Sequence, residues 1–191
     1  DKLDLTKHYK NYYTATIKVE KVNFGKIPYL QFLGKGEPAG KEFSEKVGAI
    51  YPVAYGVKKI CKATIQDFGV PKLEGLWWVN DKKPALEVPR SEWHWKLLIR
   101  MPDFVHANGL KEIAEVVEKK TNIAAEVKFE IIDEGDLVSI LHIGSYAAEP
   151  ESIKQMENFI TANGLHHEIY LSDPNKTEPD KLKTILRQPV K

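Results

Sequence analysis

The stretch from Trp95 to Pro102, WKLLIRMP, returns as LKTILRQP between Leu182 and Pro189, with Lys96, Arg100 and Pro102 answered by Lys183, Arg187 and Pro189. A match in fixed order directs attention to what precedes each copy. Upstream of the first lie IPYLQFLGKG, closing on Gly34 and Gly36, then a run with Phe43, Val47, Ile50, Ala54, Val57 and Cys61 at helical spacing, then LEGLWWV. Upstream of the second lie LVSILHIG, closing on Gly144, a run with Ile153, Met156 and Ile160 on one helical face, and HHEIYLSDP. Short apolar or alternating runs read as strands and the three-to-four-residue periodicity as helices. The order strand, helix, strand, strand thus occurs twice. The repeat also assigns KLKTIL, which alone suits a short helix equally well, to a strand. The expected fold is α+β, two such modules related by a pseudo-twofold axis, each burying its sheet face and leaving a central cleft at the join.

Working outward, residues 1–26 read as an N-terminal arm and edge strand and 27–191 as one ligand-binding domain with half-modules of about 27–105 and 106–191. DKLDLTKHYKNYY is polar and without pattern, and TATIKVEKV, with Ala15, Ile17 and Val19 alternating, is the edge strand. Gly48, Pro52 and Gly56 predict that the first long helix kinks or breaks before Pro52. LEGLWWV and SEWHWKLLIR flank a proline-rich reversal and read as an antiparallel hairpin. VKFEII and LVSILHI, separated by Glu134-Gly135, read as another. Helices are expected from Asn108 to Lys120 and from Glu149, with Pro150 in its first turn, to Asn163, capped by Gly164.

The 191 residues are 42% hydrophobic, enough for a core, and 28 basic against 27 acidic residues leave a net charge of +1. That balance gives no support to nucleic acid or an anionic membrane as partner. One cysteine, Cys61, excludes an internal disulfide and a multi-cysteine zinc site, and no apolar run is long enough to span a bilayer. The expected setting is the cytoplasm. The adjacent His166 and His167 point to opposite faces of a strand, so no metal is expected. GKGEPAGK lacks the endings of phosphate and dinucleotide loops, so no cofactor is expected either.

The chemistry-bearing residues concentrate in the matching strands. Glu74 in LEGLWW and Glu168 in HEIYLS occupy corresponding places, which would bring both acids to one cleft. Alternation puts Glu168 and Tyr170 on one face, leaving Ile169 and Leu171 for packing against the helices. A carboxylate among rings is poorly solvated and suits a general base or the counter-ion of a bound cation. Trp77, Trp78, Trp93 and Trp95 fall within one hairpin and offer indole faces to a planar or cationic compound, with Tyr55 and Tyr146 as further candidate contacts. Catalytic candidates are therefore Glu168, Tyr170 and Glu74.

FLGKGEPAGKEFSEKVGAIYPVAYGVKK, PKLEGLWW, WKLLIRMPDFV, LHIGSYAAEPESIKQMENFI and HHEIYLSDP with KLKTILRQPV, in that order from Ile27 to Val190, resemble the GyrI-like small-molecule-binding family. The resemblance implies the duplicated module known as SHS2, a cleft for planar, cationic or hydrophobic compounds, and a key glutamate at Glu168. EGLWW and HHEIYLSDP look closest to a stand-alone branch that includes cyclopropanoid hydrolases, which detoxify DNA-alkylating compounds inside an aromatic cage. A hydrolase and a non-catalytic sensor or sequestering protein need the same cage, and a gyrase-inhibitor-like module that binds a protein partner is a third reading.

Overall fold

The computed structural model describes residues 1–109, 113–115, 123–157 and 164–190. Eight antiparallel strands form one sheet: β1 (Glu20–Asn23), β2 (Lys26–Lys35), β3 (Leu73–Trp78), β4 (His94–Arg100), β5 (Lys128–Asp133), β6 (Asp136–Ile143), β7 (His166–Tyr170) and β8 (Lys183–Pro189). Their order is β1-β6-β8-β7-β3-β4-β2-β5. From the β3–β7 seam outward, the first half runs β3, β4, β2 and the second β7, β8, β6. KLKTIL is thus a strand, and β3 with β4 is the expected hairpin.

The register defines the correspondence between the halves. Lys96 lies opposite Leu33, the residue before Gly34, and Lys183 lies opposite Ile143, the residue before Gly144. By the same register Glu74, opposite Leu98, corresponds to Ile169, opposite Ile185. Glu168 corresponds to Leu73. Glu74 and Glu168 are therefore out of step by one residue, and in a structure of period two that places them on opposite faces of the sheet.

One face carries helices α2 (Lys41–Thr64) and α3 (Glu149–Glu157). Ala49, Ile50, Val53, Ala54, Val57 and Cys61 form the buried stripe of α2, packed on Leu30, Phe32, Trp95, Leu97 and Ile99. Contrary to the expected break, α2 is continuous through Pro52: burial of residues on both sides of it outweighs the missing hydrogen bond. Gly56 has a packing reason, since a Cβ there would lie 2.4 Å from Ile113 Cγ2. Met156 of α3 packs on Val138, Ile140 and Leu186. The helix expected over Asn108–Lys120 lies mostly outside the described residues, as does the end of that expected over Glu149–Asn163.

The other face is covered by the N-terminal segment, which is not the free polar arm expected. Asp4 caps a single turn, α1 (Leu5–His8), by accepting from the Thr6 and Lys7 amides, and Leu5, Tyr12 and Tyr13 are buried. Tyr12 and Tyr13 pack with Ile27, Tyr29, Leu76, Leu98, Ile169 and Ile185. Ile169 thus packs against this segment, not against the helices. The edge strand begins only at Glu20, and Ile17 is exposed.

The expected hairpin at Glu134-Gly135 does not form. β5 pairs with β2 and β6 with β1, in one continuous register from Glu20↔Ser139 to Gln31↔Lys128. Two long paths cross here, each bent at a glycine, Gly25 and Gly135, both with φ of 65°. A left-handed glycine followed at once by new ladder partners redirects the strand without reversing it. No described helix is long and apolar enough to cross a membrane.

Candidate functional site

Glu168 stands at the seam on the helix-bearing face, opposite Gly75 of β3. A Cβ on Gly75 would lie 2.8 Å from Trp77 Nε1 and 3.0 Å from the Tyr170 hydroxyl. The glycine therefore leaves room for Trp77 Nε1 to donate to the Tyr170 oxygen at 3.0 Å. Tyr170 in turn donates to Glu168 Oε2 at 2.8 Å, and His166 Nε2, which can only donate to a carboxylate, lies 3.1 Å from Oε1. His166, Glu168 and Tyr170 share a strand face by alternation.

Glu149, the first residue of α3, adds a second acid. It is buried, and its carboxyl meets that of Glu168. Burial and the charge of Glu168 push Glu149 up to about 9, so it holds a proton at neutral pH. Burial also works to raise Glu168, but hydrogen bonds from His166, Tyr170 and Glu149 outweigh it and hold Glu168 below the usual carboxylate range. The pair carries one negative charge, located on Glu168.

Aromatic rings surround this pair. Tyr146 meets Tyr170 edge-on at 6.1 Å and is 40% exposed, giving the acids a rim open to solvent. Phe43 of α2 stacks on Trp77 at 6.0 Å, and Trp93 meets Trp77 edge-on at 6.2 Å. The other expected residues lie apart. Trp95 is fully buried under α2, its ring filling the space a Cβ on Gly34 would take, at 2.0 Å. Trp78 stacks on His94, and Tyr55 is exposed on α2. Trp93, which reaches the site only through its edge contact with Trp77, donates from Nε1 to the Ala85 and Val88 carbonyls.

Glu74, fully buried on the opposite face, belongs to a separate network. It accepts from Tyr12, whose hydroxyl is 2.6 Å from that of Tyr29. His167 bridges Glu74 and Glu134, with 2.8 Å to each. Burial alone would lower the pKa of His167, but the two carboxylates overcome it and raise it to about 9. Among the described residues, no group of histidine, cysteine or acidic side chains is placed to hold a metal ion.

The model of the GyrI-like small molecule binding domain matches residues 63–191. The chain belongs to the GyrI-like family. It is similar over the whole of both chains to a solved structure of an uncharacterized conserved protein from Listeria innocua, at 35% identity and a TM-score of 0.91. A hydrolase from Listeria innocua is likewise similar over both full lengths, at 34% identity and a TM-score of 0.86. The EcmrR C-terminal domain, 13% identical with a TM-score of 0.56 over 91% of this chain and 97% of its own, shares the fold. Among curated proteins none matches. Within this GyrI-like chain, Glu149 and the N-terminal tyrosines were the residues that sequence reasoning missed. Leu5, Tyr9, Tyr12 and Tyr13 do recur at three-to-four-residue spacing, a usable signal. Glu149 gave none, because an acid at a helix N-terminus is the ordinary complement of the helix dipole.

Proposed function

We propose that the β3–β7 seam is the ligand cleft of two pseudo-twofold modules, and that it binds planar hydrophobic or cationic compounds and hydrolyses a cyclopropanoid, DNA-alkylating one. The observation that carries this reading is an ionised Glu168 fixed beside Tyr170, Trp77 and a protonated Glu149. The Tyr146 ring, exposed beside Tyr170, supplies the stacking surface, the buried Trp77 holds the Tyr170 hydroxyl through Nε1, and the carboxylate attracts positive charge. The similarity to a Listeria innocua hydrolase supports turnover.

In the proposed step, water adds its oxygen to a carbon of the strained ring and loses a proton toward Glu168. The ring carbon–carbon bond breaks, and its electron pair moves into a conjugated carbonyl, whose oxygen takes a proton from Glu149. Each carboxyl thus ends with the protonation state the other began with, and proton exchange across their contact resets the site. Glu168 accepts from three donors, which makes it a weak base; the same fact favours a second reading, in which the site only binds cations and Glu168 is their counter-ion. The test is to mix the protein with a cyclopropane-bearing alkylator and follow product mass, and separately to titrate it with ethidium. Ring-opened product establishes the enzyme; ethidium binding without product leaves the binding protein; neither signal removes the cleft.

A further inference from the structure

We propose that a second binding site, for a small organic oxyanion, lies under the N-terminal segment on the face of the sheet opposite Glu168. A cavity of about 380 Å³ opens there between the segment and the sheet, within the range of small-molecule sites. Its wall includes Lys10, Lys26 and Arg100 against one acid, Asp103. That acid is tied within the same wall, where Asp103 Oδ2 accepts from the Tyr9 hydroxyl at 2.8 Å, and the three cations outnumber it.

Arg100 is the centre of the site. It is 5% exposed, its guanidinium sits 3.6 Å from the ring centroid of Tyr9 and 4.5 Å from that of Tyr12, and its Nε has no hydrogen-bond partner. The two buried acids of this face, Glu74 and Glu134, are matched by two other buried cations: His167, which bridges them, and Arg187, which lies over the Tyr12 and Phe24 rings and acts on Glu134. A buried cation set between two ring faces, with its Nε unmet and room beside it, is the arrangement a ligand anion completes. The planar guanidinium suits a carboxylate or phosphate group, and Lys10 and Lys26, exposed and outside any ion pair among the described residues, add long-range attraction. Phe24 and Asn11 line the remaining space, enough for a small organic body beyond the charged group.

Calorimetric titration of the intact chain with inorganic phosphate, and separately with benzoate, in a low-salt buffer free of both tests the site. At least one of the two saturates at one per chain, and added salt weakens it. Saturation by benzoate alone marks a carboxylate ligand, and by phosphate a phosphate ester. The paired change Lys10→Ala and Lys26→Ala weakens the affinity by about tenfold while leaving the melting temperature and ethidium binding unchanged. Arg100→Lys, which keeps the charge and loses the planar fork, weakens it as well. Should Arg100→Lys fail to fold, the lysine pair decides alone. Absence of saturation by both anions, or a folded lysine variant that binds as tightly as the parent, overturns the proposal.

Discussion

The carboxyl groups of Glu149 and Glu168 meet at the seam between the two halves, and one of them keeps its proton at neutral pH. Glu149 is raised from 4.5 to about 9. A group whose folded pKa lies above its unfolded value adds stability that is fully present below the unfolded value and is lost as pH rises through the folded one. Stability should therefore decline between about pH 4.5 and 9, by at most about 1.4 kcal/mol per pH unit from this group. Glu149→Gln, neutral at all pH, should match the parent near pH 4 and exceed it at pH 9 in urea unfolding. Equal curves at both values would remove the proton from Glu149.

Glu168→Gln separates chemistry from binding. If Glu168 takes a proton during ring opening, turnover drops by about 10²- to 10⁴-fold while a neutral planar compound still binds. If it is a counter-ion only, ethidium binding weakens and neutral ligands are unaffected. Single-turnover kinetics and fluorescence titration on the same variant distinguish these outcomes, and a variant identical to the parent in both places the site elsewhere.

The tryptophans should divide by location. Trp77→Ala, which removes the donor that fixes Tyr170, should weaken planar ligands by about 1–3 kcal/mol and, because this ring is also buried, lower stability as well. Trp95→Ala should leave affinity per folded molecule unchanged and lower stability by about 3–5 kcal/mol, because a fully buried ring leaves a cavity. Thermal unfolding with ligand titration reads both, and a stable Trp95→Ala protein with weakened binding would reverse the assignment.

His167 is raised from 6.5 to about 9 by Glu134 and Glu74. Its contribution is complete below about pH 6.5 and lost as pH rises through 9, the same direction as that of Glu149. His167→Gln should destabilise the protein at pH 6 by about 3–5 kcal/mol, since two buried acids lose their cation. The loss should shrink toward pH 9. A constant difference across that range would show that His167 is neutral in the fold.

The repeat WKLLIRMP and LKTILRQP was sufficient to assign KLKTIL to a strand matching β4, and the corresponding lysines do sit at corresponding places in the ladder. It was not sufficient to align β3 with β7. A shared glutamate suggested Glu74 with Glu168, yet the register offsets them by one residue, and a strand's period of two converts that slip into opposite faces. The crossing at Gly25 and Gly135 was hidden for another reason: Glu134-Gly135 has the composition of a turn, and only the partners of β5 and β6 show that the chain goes on. The trio Trp77, Tyr170 and Glu168 was readable as residues, while Glu149 became visible only through burial beside Glu168.

Each half borrows its outermost strand. The outer neighbour of β2 is β5, which comes from the second half, and the outer neighbour of β6 is β1, which comes from the N-terminal stretch that leads into the first. Neither half separated from the other could complete its own edge, so the molecule should unfold in a single cooperative transition, and a chain cut between Pro102 and Ala124 should regain its structure only when both fragments are present. A lone module of this kind would find its missing strand in a second copy of itself, interlocked arm in arm.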